Sequence, residues 1–344
     1  MAKILFIGDP HLQINRFDLA KQFLAWVNKT ATELKPDLVV NLGDTFDTHG
    51  VLRSEILTEF VWHVEHVYAE GIPYVYLIGN HDMYKPKDAK YHALKHFVGK
   101  MRHVHIIDEV QDLFGMTFVP YQIDPSNFPK KTLSICVAHQ TFIGADYGSI
   151  ATKDGVDAST IEGCELVISG HIHTRHSIPQ RDGRGAIVAY PGSPFSQSVE
   201  DIDQVKGLLL FDTETFREQF IECPLPSWRG LRYEINQQFS IQDLYEDLLR
   251  ITGSKDHWTI ELTGTKAEIT SYLDSEKHKN LVSGIDVKIK PNYLDKEKRK
   301  LRIEARSMDQ IVSDYIAKVY SGSLDKELLR TKALELIDQT KSES

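Results

Sequence analysis

The stretch that decides the fold is VYLIGNHDMY, residues 75–84, in which an apolar segment runs directly into residues of a different kind. Residues 75–78 are β-branched, aromatic or aliphatic and favour a buried strand. Gly79, Asn80, His81 and Asp82 follow at once, and they make both a poor strand and a poor core. An amide, an imidazole and a carboxylate at the end of a buried strand can bind a metal ion or a substrate. This strand end is therefore a candidate functional site.

Four further apolar segments end in side chains of the same kind. ILFIGDPH (4–11) ends in Asp9 and His11, and LVVNLGD (38–44) ends in Asp44. ICVAHQ (135–140) ends in His139 and Gln140, and LVISGHIH (166–173) ends in His171 and His173. Open sheets carry their sites at the carboxyl ends of their strands, so five such ends can converge on one place. The sequence therefore predicts one cluster of two aspartates, one asparagine and several histidines.

The residue types in this predicted cluster favour a pair of metal ions. Oxygen and imidazole ligands without thiolate suit divalent ions such as manganese, iron or zinc. The candidate ligands, which are too many for one ion, are Asp9, His11, Asp44, Asn80, His139, His171 and His173. Two ions roughly 3.5 to 4 Å apart that share one carboxylate would use all of them, and a water bridging the ions would be the nucleophile. We expect Mn²⁺, with Mg²⁺ or Fe²⁺ as alternatives.

Each motif by itself has a structural explanation. An Asp-x-His segment after a strand is often a turn, Asp44 could cap a helix, and His139 could be a buried, hydrogen-bonded histidine. The Gly-Asn pair at 79–80 could also be a turn. The GHIH motif at 170–173 is more specific, because alternation along an extended chain points both imidazoles to the same side. Without a metal site, a separate structural explanation would have to hold at each of five strand ends. The metal site is therefore the favoured interpretation.

In this order, the Asp-x-His, Gly-Asp, Gly-Asn-His-Asp, His and Gly-His-x-His motifs resemble those of the calcineurin-like metallophosphoesterase superfamily, over residues 4 to about 195. Within it, GDTFDTHG (43–50) and the long helix that follows are similar to the SbcD-type exonuclease subunit and its phage recombination-endonuclease relatives. These double-strand-break repair nucleases work with a coiled-coil ATPase. Protein phosphatases instead carry Asp-Arg-Gly after the Gly-Asp motif and Gly-Asn-His-Glu later, and this chain has neither.

The resemblance implies a role for each candidate residue. Asp9, His11 and His173 would bind one ion, Asn80, His139 and His171 the other, and Asp44 would bridge them. His81 would be the catalytic histidine that protonates the leaving oxygen, and Asp82 would orient it through a hydrogen bond. Some relatives have a further histidine three residues after the bridging aspartate. This chain has Asp47 there, as SbcD-type chains do, and His49 is the histidine that could substitute.

The composition limits the class of protein. A net charge of −9 over 344 residues argues against coating nucleic acid by bulk electrostatics. Three widely spaced cysteines, Cys136, Cys164 and Cys223, indicate neither a disulfide framework nor a cysteine zinc site. No stretch approaches the roughly 18 apolar residues of a membrane span, and the N-terminus does not resemble a signal peptide. We expect a cytoplasmic protein, of a bacterial cell or of the host of a phage, without a membrane partner.

Apolar runs that alternate with amphipathic segments predict an α/β first half and a more antiparallel second half. Strands are expected at 4–7, 38–42, 74–78, 132–138, 166–169, 187–190, 207–211 and 216–222, and helices over 17–34 and 56–68. The CPLPSWRG segment (223–230) suggests a domain boundary, and residues 231–290 read as strand, helix, strand, helix, strand. By resemblance we expect a four-layer β-sandwich flanked by helices (1–225), a small α+β capping domain (226–295) and a linker with a helix-loop-helix (296–344).

Partners are expected on three surfaces. Basic residues between Ile285 and Arg306 either form an ordinary solvated charge run or contact DNA, and the candidates are Lys288, Lys290, Lys298, Arg299 and Arg302. An apolar stripe in the tail either folds back on its own domain or, by resemblance, docks on the SbcC-type ABC ATPase, through Ile311, Val312, Tyr315, Ile316 and Val319. In the family the helix after residue 54 pairs two copies, which predicts a homodimer through Ile56, Leu57, Phe60 and Val64.

The resemblance thus implies a Mn²⁺-dependent DNA nuclease subunit that serves recombination, replication and double-strand-break repair. It would act as a 3′ to 5′ exonuclease on duplex ends and as an endonuclease on single strands or hairpins, together with the ATPase. One alternative is a small-substrate phosphodiesterase or phosphatase of the same fold, which has little need for a cap and a docking tail. Another is a non-catalytic scaffold for the ATPase, which would not need the intact ligand set and His81.

Overall fold

The computed structural model describes residues 2–47, 49, 51–85, 88–101, 103–147, 151–180, 185–235, 241–251, 253–276, 278–279, 287–293, 325–328 and 330–332. Its helices are α1 (Phe17–Leu34), α2 (Ser54–Ala69), α3 (Ile241–Ile251) and α4 (Lys266–Asp274). Its strands are β1 (Lys3–Ile7), β2 (Leu38–Asn41), β3 (Tyr74–Leu77), β4 (Met83–Lys85), β5 (Asp88–His92), β6 (Val104–Ile107), β7 (Gln111–Leu113), β8 (Met116–Val119), β9 (Ile135–His139), β10 (Leu166–Gly170), β11 (His176–Ile178), β12 (Ile187–Tyr190), β13 (Gly207–Asp212), β14 (Arg217–Glu222), β15 (Trp228–Glu234), β16 (His257–Gly264) and β17 (Val287–Tyr293).

The first large sheet has the order β14-β13-β1-β2-β3-β6. Its strands β1, β2, β3 and β6 are parallel, and β13 and β14 join antiparallel at one edge. Both faces of β1 are buried, with Ile4 and Phe6 on one face and Leu5 and Ile7 on the other. Strands that are covered on both sides read as continuous apolar runs, which explains the uninterrupted segments in the sequence. Helices α1 and α2 cover the outer face.

The second large sheet, in the order β11-β12-β10-β9-β8-β7, packs face to face on the first. The core between them contains Phe6 of β1 and Val75 of β3 together with Phe118 of β8 and Val137 of β9. Irregular chain and short 3-10 turns cover the outer face of the second sheet, with Phe142 at the centre of that layer. Helices, two sheets and this outer layer make the four-layer sandwich that the resemblance implies.

A small module follows the sandwich. Its sheet has the order β15-β16-β17 with all strands parallel, and α3 and α4 are the crossover helices. Leu248 of α3, Ile260 and Leu262 of β16 and Tyr272 of α4 form its core. The strand-helix-strand-helix-strand order predicted for residues 231–290 is confirmed. The limits of the three predicted domains stay predictions, because the fold of each segment does not test where a domain begins.

The eight strands predicted for the sandwich are present, with ends that shift by up to three residues. Six further strands were not predicted: β4, β5, β6, β7, β8 and β11. These strands have three to five residues, too few for a period-two pattern to show. Pairing with a neighbouring strand, in a local hairpin as for β4 with β5 or across a longer stretch of chain as for β8 with β9, makes them strands.

The apolar face of α2 packs on its own sheet, which corrects the predicted dimer surface. The four residues assigned to dimerisation are either buried in the core (Ile56, Phe60 and Val64) or packed against its margin (Leu57). Their helical spacing therefore serves the fold of one chain, and the three buried side chains are not available to a second copy. The large exposed apolar residues of α2 are Trp62 and Tyr68. The homodimer itself stays a prediction.

Several predicted partner residues lie outside the described part of the chain: Lys298, Arg299, Arg302, Ile311, Val312, Tyr315, Ile316 and Val319, with most of the predicted helix-loop-helix. Lys288 and Lys290 are described, and both are exposed on β17, at the edge of the small sheet. They alternate with Val287 and Ile289, which pack on the core of the module. Among the described residues, no helix is both long and apolar enough to cross a membrane.

Candidate metal centre

The predicted ligands lie at one end of the sandwich, between the two sheets. Three strands of the first sheet supply four of them: Asp9 and His11 follow β1, Asp44 follows β2, and Asn80 follows β3. The second sheet supplies the others, because His139 ends β9 and His171 and His173 follow β10. The sequence predicts five converging strand ends, and the structure brings them together from two facing sheets.

Asp9, His11 and His173 form the first group. They offer ligand atoms that all lie within 4.8 Å of one another, and the Nε2 atoms of the two histidines are 3.1 Å apart. Asp9 is fully buried, and its Oδ1 accepts a hydrogen bond from the backbone amide of His171 at 2.7 Å. Its Oδ2 has no hydrogen-bond partner among the described residues. A buried carboxylate oxygen requires a compensating charge, so this group fits a divalent cation.

Asp44, Asn80, His139 and His171 form the second group. The Oδ1 of Asn80 lies 2.7 Å from Nδ1 of His171 and 3.1 Å from Nε2 of His139. The Oδ2 of Asp44 lies 3.3 Å from Nε2 of His139 and 3.7 Å from Nε2 of His11. One oxygen of Asp44 therefore faces both groups, which is the position that a bridging ligand requires.

The buried carboxylates make this site strongly negative. Burial lowers the pKa of His139, but the charges of Asp44 and Asp9 outweigh burial and raise that pKa to about 9. Burial would raise the pKa of Asp44, but His139 and His11 hold it far below its usual range. Burial lowers the pKa of His171 to about 4, so this imidazole is neutral at pH 7 and has a free lone pair. The site attracts positive charge, and His171 offers a metal ion a neutral nitrogen ligand.

The backbone around the centre is strained and tightly held. His11, Asp44 and His171 have positive φ angles of 42°, 49° and 87°. Such conformations cost about 1–3 kcal/mol each in non-glycine residues and concentrate at functional sites. The amide of His11 donates to the Asp44 carbonyl at 3.0 Å, and the amide of His81 donates to Asp44 Oδ1 at 2.7 Å. A Cβ on Gly79 would lie 2.2 Å from that same Oδ1, so only glycine fits there.

His81 lies beside both groups. Its ring stands edge-on to that of His11, with centroids 4.5 Å apart, and stacks on that of His49 at 4.4 Å. Its Nδ1 lies 3.2 Å from the carbonyl oxygen of Asp47, which assigns the Nδ1 proton to this hydrogen bond and leaves Nε2 for a substrate. Burial lowers the pKa of His81. His49 and Asp47, whose roles the sequence left open, are therefore both part of the site.

The structure corrects the predicted hydrogen bond from Asp82 to His81. In the described chain, Asp82 Oδ2 accepts from the amides of Asp44 and Gly79, both at 2.9 Å, and Oδ1 accepts from the Tyr76 hydroxyl at 2.8 Å. Burial, reinforced by the charge of Asp44, raises the pKa of Asp82 to about 7. Asp82 thus ties the loop after β2 to the loop after β3. The carbonyl of Asp47 orients His81 instead.

Some residues around the centre were missed by sequence reasoning. The ring of Tyr121 lies 5.6 Å from that of His171, and Nε2 of Gln197 donates to the Asp9 carbonyl at 2.6 Å. Neither residue belongs to a motif, because the fold brings them in from distant loops. Tyr76 is different. It lies within the stretch 75–84, and its hydroxyl close to the polar residues 79–82 was a signal that this end of the strand is hydrogen-bonded.

The calcineurin-like phosphoesterase family matches residues 2–175, about half of the chain and all of the strand ends described above. The chain belongs to this family. It is therefore assigned to the phosphoester hydrolases, and the buried Asp and His side chains form clusters able to bind the divalent metals that such enzymes use. The resemblance to this superfamily, predicted from the motifs, is confirmed.

Three relatives extend the similarity beyond the family domain. Protein 078R of Invertebrate iridescent virus 3, provisionally named a phosphoesterase, is 26% identical over 84% of this chain and 85% of its own length. Exonuclease subunit 1 of Enterobacteria phage T4 is 23% identical over 91% of this chain and 92% of its own. The DNA double-strand break repair protein Mre11 of Saccharolobus solfataricus is 23% identical over 62% of this chain and 60% of its own. The predicted similarity to the SbcD-type nucleases is confirmed by these last two.

Proposed function

We propose that this chain is a Mn²⁺-dependent DNA nuclease that hydrolyses phosphodiester bonds at a dinuclear metal centre. One observation carries the proposal: Oδ2 of Asp44 lies 3.7 Å from His11 and 3.3 Å from His139, so a single carboxylate oxygen faces both groups of candidate ligands. A carboxylate that served only the fold would not need imidazoles from both sheets around it.

The residues of the first group would hold one ion and those of the second group the other, with Asp44 shared. The donor set fits, because it combines carboxylate and amide oxygens, which suit manganese and magnesium, with imidazoles, which Mg²⁺ binds poorly. When bound, a metal pair lowers the pKa of water and neutralises charge on the phosphate. The unpartnered Oδ2 of Asp9 is the atom whose burial requires such a cation.

His81 would deliver the proton to the leaving oxygen. The Asp47 carbonyl and the stacked His49 ring fix the imidazole, so its Nε2 is the nitrogen that can reach a phosphate held beside Asp44. A positioned general acid contributes about 10²–10⁴-fold in rate. Because burial lowers its pKa, protonated His81 gives up its proton readily.

The choice of DNA as substrate rests on the relatives and on one surface. An exonuclease subunit and a double-strand break repair protein are both homologous to this chain. Lys288 and Lys290 present two adjacent positive charges on the exposed edge strand of the small module, where the phosphates of a duplex could lie. A homodimer and an SbcC-type ATPase that docks on the C-terminal tail complete the proposed repair complex.

The decisive experiment compares wild type with His81→Gln and Asp44→Asn on end-labelled duplex DNA, circular single-stranded DNA and a small chromogenic phosphodiester, each with Mn²⁺ or Mg²⁺. We expect Mn²⁺-dependent cleavage of DNA, a loss of at least 100-fold in His81→Gln, and no detectable cleavage by Asp44→Asn. Cleavage of the small ester alone would indicate a small-substrate phosphodiesterase. Unchanged DNA cleavage by both variants would mean that a contaminant is the nuclease, and that this chain is a scaffold.

The DNA-binding surface has a separate test. Replacing Lys288 and Lys290 by glutamine should weaken duplex binding and reduce the slope of log affinity against log salt by about 2, since each lost phosphate contact lowers it by about 0.9. The matched control is Lys29→Gln, which removes an exposed lysine from α1. An unchanged salt slope in the double variant would remove these residues from the interface. The docking tail is tested separately, by measuring whether chains truncated after residue 306 still associate with the ATPase.

A further inference from the structure

A buried ion pair lies behind the first group of candidate ligands. Lys206, just before β13, and Asp201 are each only 5% exposed, and Lys206 Nζ lies 2.6 Å from Asp201 Oδ1. Burying two charges is costly, and an apolar pair of the same volume often stabilises a fold as well or better. The presence of this ion pair therefore has to be explained by the groups that it holds in place.

The lysine holds the backbone of His173. Its ammonium group donates to the His173 carbonyl at 2.8 Å and to Ser193 Oγ at 2.8 Å, in addition to Asp201. These contacts account for all three donors of the side chain. The amide of Ser193 donates to the same carbonyl at 3.0 Å. With the Ser193 hydroxyl, which donates to it at 3.4 Å, three donors thus fix the carbonyl of His173.

The aspartate holds the loop that reaches Asp9. Its Oδ2 accepts from the amides of Gln197 at 2.8 Å and Ser198 at 3.2 Å. The side chain of Gln197, so held, donates to the Asp9 carbonyl at 2.6 Å. Arg16 fastens the loop from its other side, by donating to the carbonyl oxygens of Ser196 and Gln197. The ion pair therefore joins the backbone of Asp9 to that of His173.

We propose that the Lys206–Asp201 pair is a positioning unit that sets the metal affinity of the Asp9, His11 and His173 group. The inference rests on the proposed function, since it assumes that this group binds a metal ion. The second group is supported differently, because Nδ1 of His139 donates to the Leu42 carbonyl at 2.7 Å. Lys206 and Asp201 both lie beyond residues 2–175, the part that the family matches. Breaking the pair should therefore weaken one ion selectively.

The test is a titration of the metal-free full-length chain with Mn²⁺. The electron paramagnetic resonance signal of the unbound ion monitors binding at each step. Wild type should bind two ions. Lys206→Met should raise the Kd of one ion about 10- to 100-fold, the usual effect of removing a residue that supports a ligand, and leave the other within about threefold. Wild-type values for both ions in Lys206→Met would overturn the proposal.

Two further variants separate positioning from general loosening of the fold. Ile161→Ala removes a buried side chain from the outer layer of the second sheet, in a core cluster that contains no residue of the loop 196–201, so it should lower the melting temperature and leave both Kd values unchanged. If it changed them as much as Lys206→Met does, the inference would fail. Gln197→Ala keeps the ion pair and removes only the contact with Asp9, so it remains decisive even if Lys206→Met does not fold. It should weaken the same ion about tenfold, and unchanged binding would refute the link.

The wild-type titration distinguishes this inference from the proposed function. A wild-type chain that binds no pair of ions would overturn the dinuclear centre, and with it the inference. A wild-type chain that binds two ions, together with Lys206 and Gln197 variants that bind them equally well, would overturn the positioning unit alone.

Discussion

Acid should destabilise the sandwich through His63, a histidine that is not one of the candidate ligands. His63 lies on the buried face of α2, where its Nδ1 contacts Oδ1 of Asn28 and its Nε2 lies 3.3 Å from the hydroxyl of Tyr74. Burial, with a smaller effect of His66, lowers the pKa of His63 from 6.5 to about 3. The folded chain therefore keeps this imidazole neutral at pH values at which the unfolded chain protonates it.

The sign and size of the effect follow from linkage. Between pH 6.5 and about 3 the unfolded state binds one more proton at this residue than the folded state does, so the free energy of unfolding falls as the pH falls. The limiting slope is about 1.4 kcal/mol per pH unit. At pH 5 the loss from His63 alone is about 2 kcal/mol relative to pH 8. That is a large part of the roughly 5–15 kcal/mol by which domains are stable.

Urea unfolding of wild type and His63→Gln at pH 8 and pH 5 measures this effect. Glutamine can still hydrogen-bond to Asn28 but does not titrate, and the other titrating groups are common to both proteins. The difference in unfolding free energy between the two proteins should therefore shrink by about 2 kcal/mol at pH 5. The control Leu57→Ala shortens a side chain of the same helix that packs against the same core but does not titrate, so it should keep the wild-type pH dependence. A difference that stays constant with pH would refute the reasoning.

Two other predictions concern the metal centre. Gly79→Ala should abolish cleavage and destabilise the fold by about 1–3 kcal/mol, because its Cβ would lie 2.2 Å from Asp44 Oδ1. The control is Gly71→Ala, whose Cβ would meet no atom within 4 Å. This variant carries only the strain of its positive φ and should stay active. An active Gly79→Ala would show that Asp44 can move without loss of function. Mn²⁺ at about 100 times its Kd should stabilise the wild type by about 2.7 kcal/mol for each ion, raising its melting temperature, and a chelator should reverse the shift. Asp44→Asn should show a much smaller rise, and an equal rise would argue against its bridging position.

The secondary structure around the centre could be predicted because its signals are local. Continuous apolar runs such as 38–42 and 74–78 are the pattern of strands buried on both faces, and β2 and β3 are found there. The period of about 3.6 residues over 17–34 predicted α1 with the limits that the structure has. Short strands such as β7 and β11 gave no signal, because their pairing partners, not their residues, make them strands.

Local signals do not show which partner a residue contacts, and this explains two wrong predictions: the hydrogen bond from Asp82 to His81 and the dimer surface on α2. The apolar stripe of Ile56, Phe60 and Val64 shows that one face of α2 is buried, but not whether its own sheet or a second chain covers it. Asp82 follows His81 in the sequence, yet its carboxylate turns inward to the amides of Asp44 and Gly79. Adjacency along the chain does not determine which way a side chain points.

The sequence by itself determined which residues end buried strands in metal-binding side chains, because residue type and strand pattern are written locally along the chain. Only the tertiary structure decided how those ends meet. It placed the carboxylate of Asp44 between two groups of ligands, set Asp47 and His49 around His81, and put the Lys206–Asp201 pair behind Asp9 and His173. The contact between Gln197 and the Asp9 carbonyl joins residues 188 positions apart, and the contact between Asp44 and His139 joins the two sheets, so no local pattern encodes them.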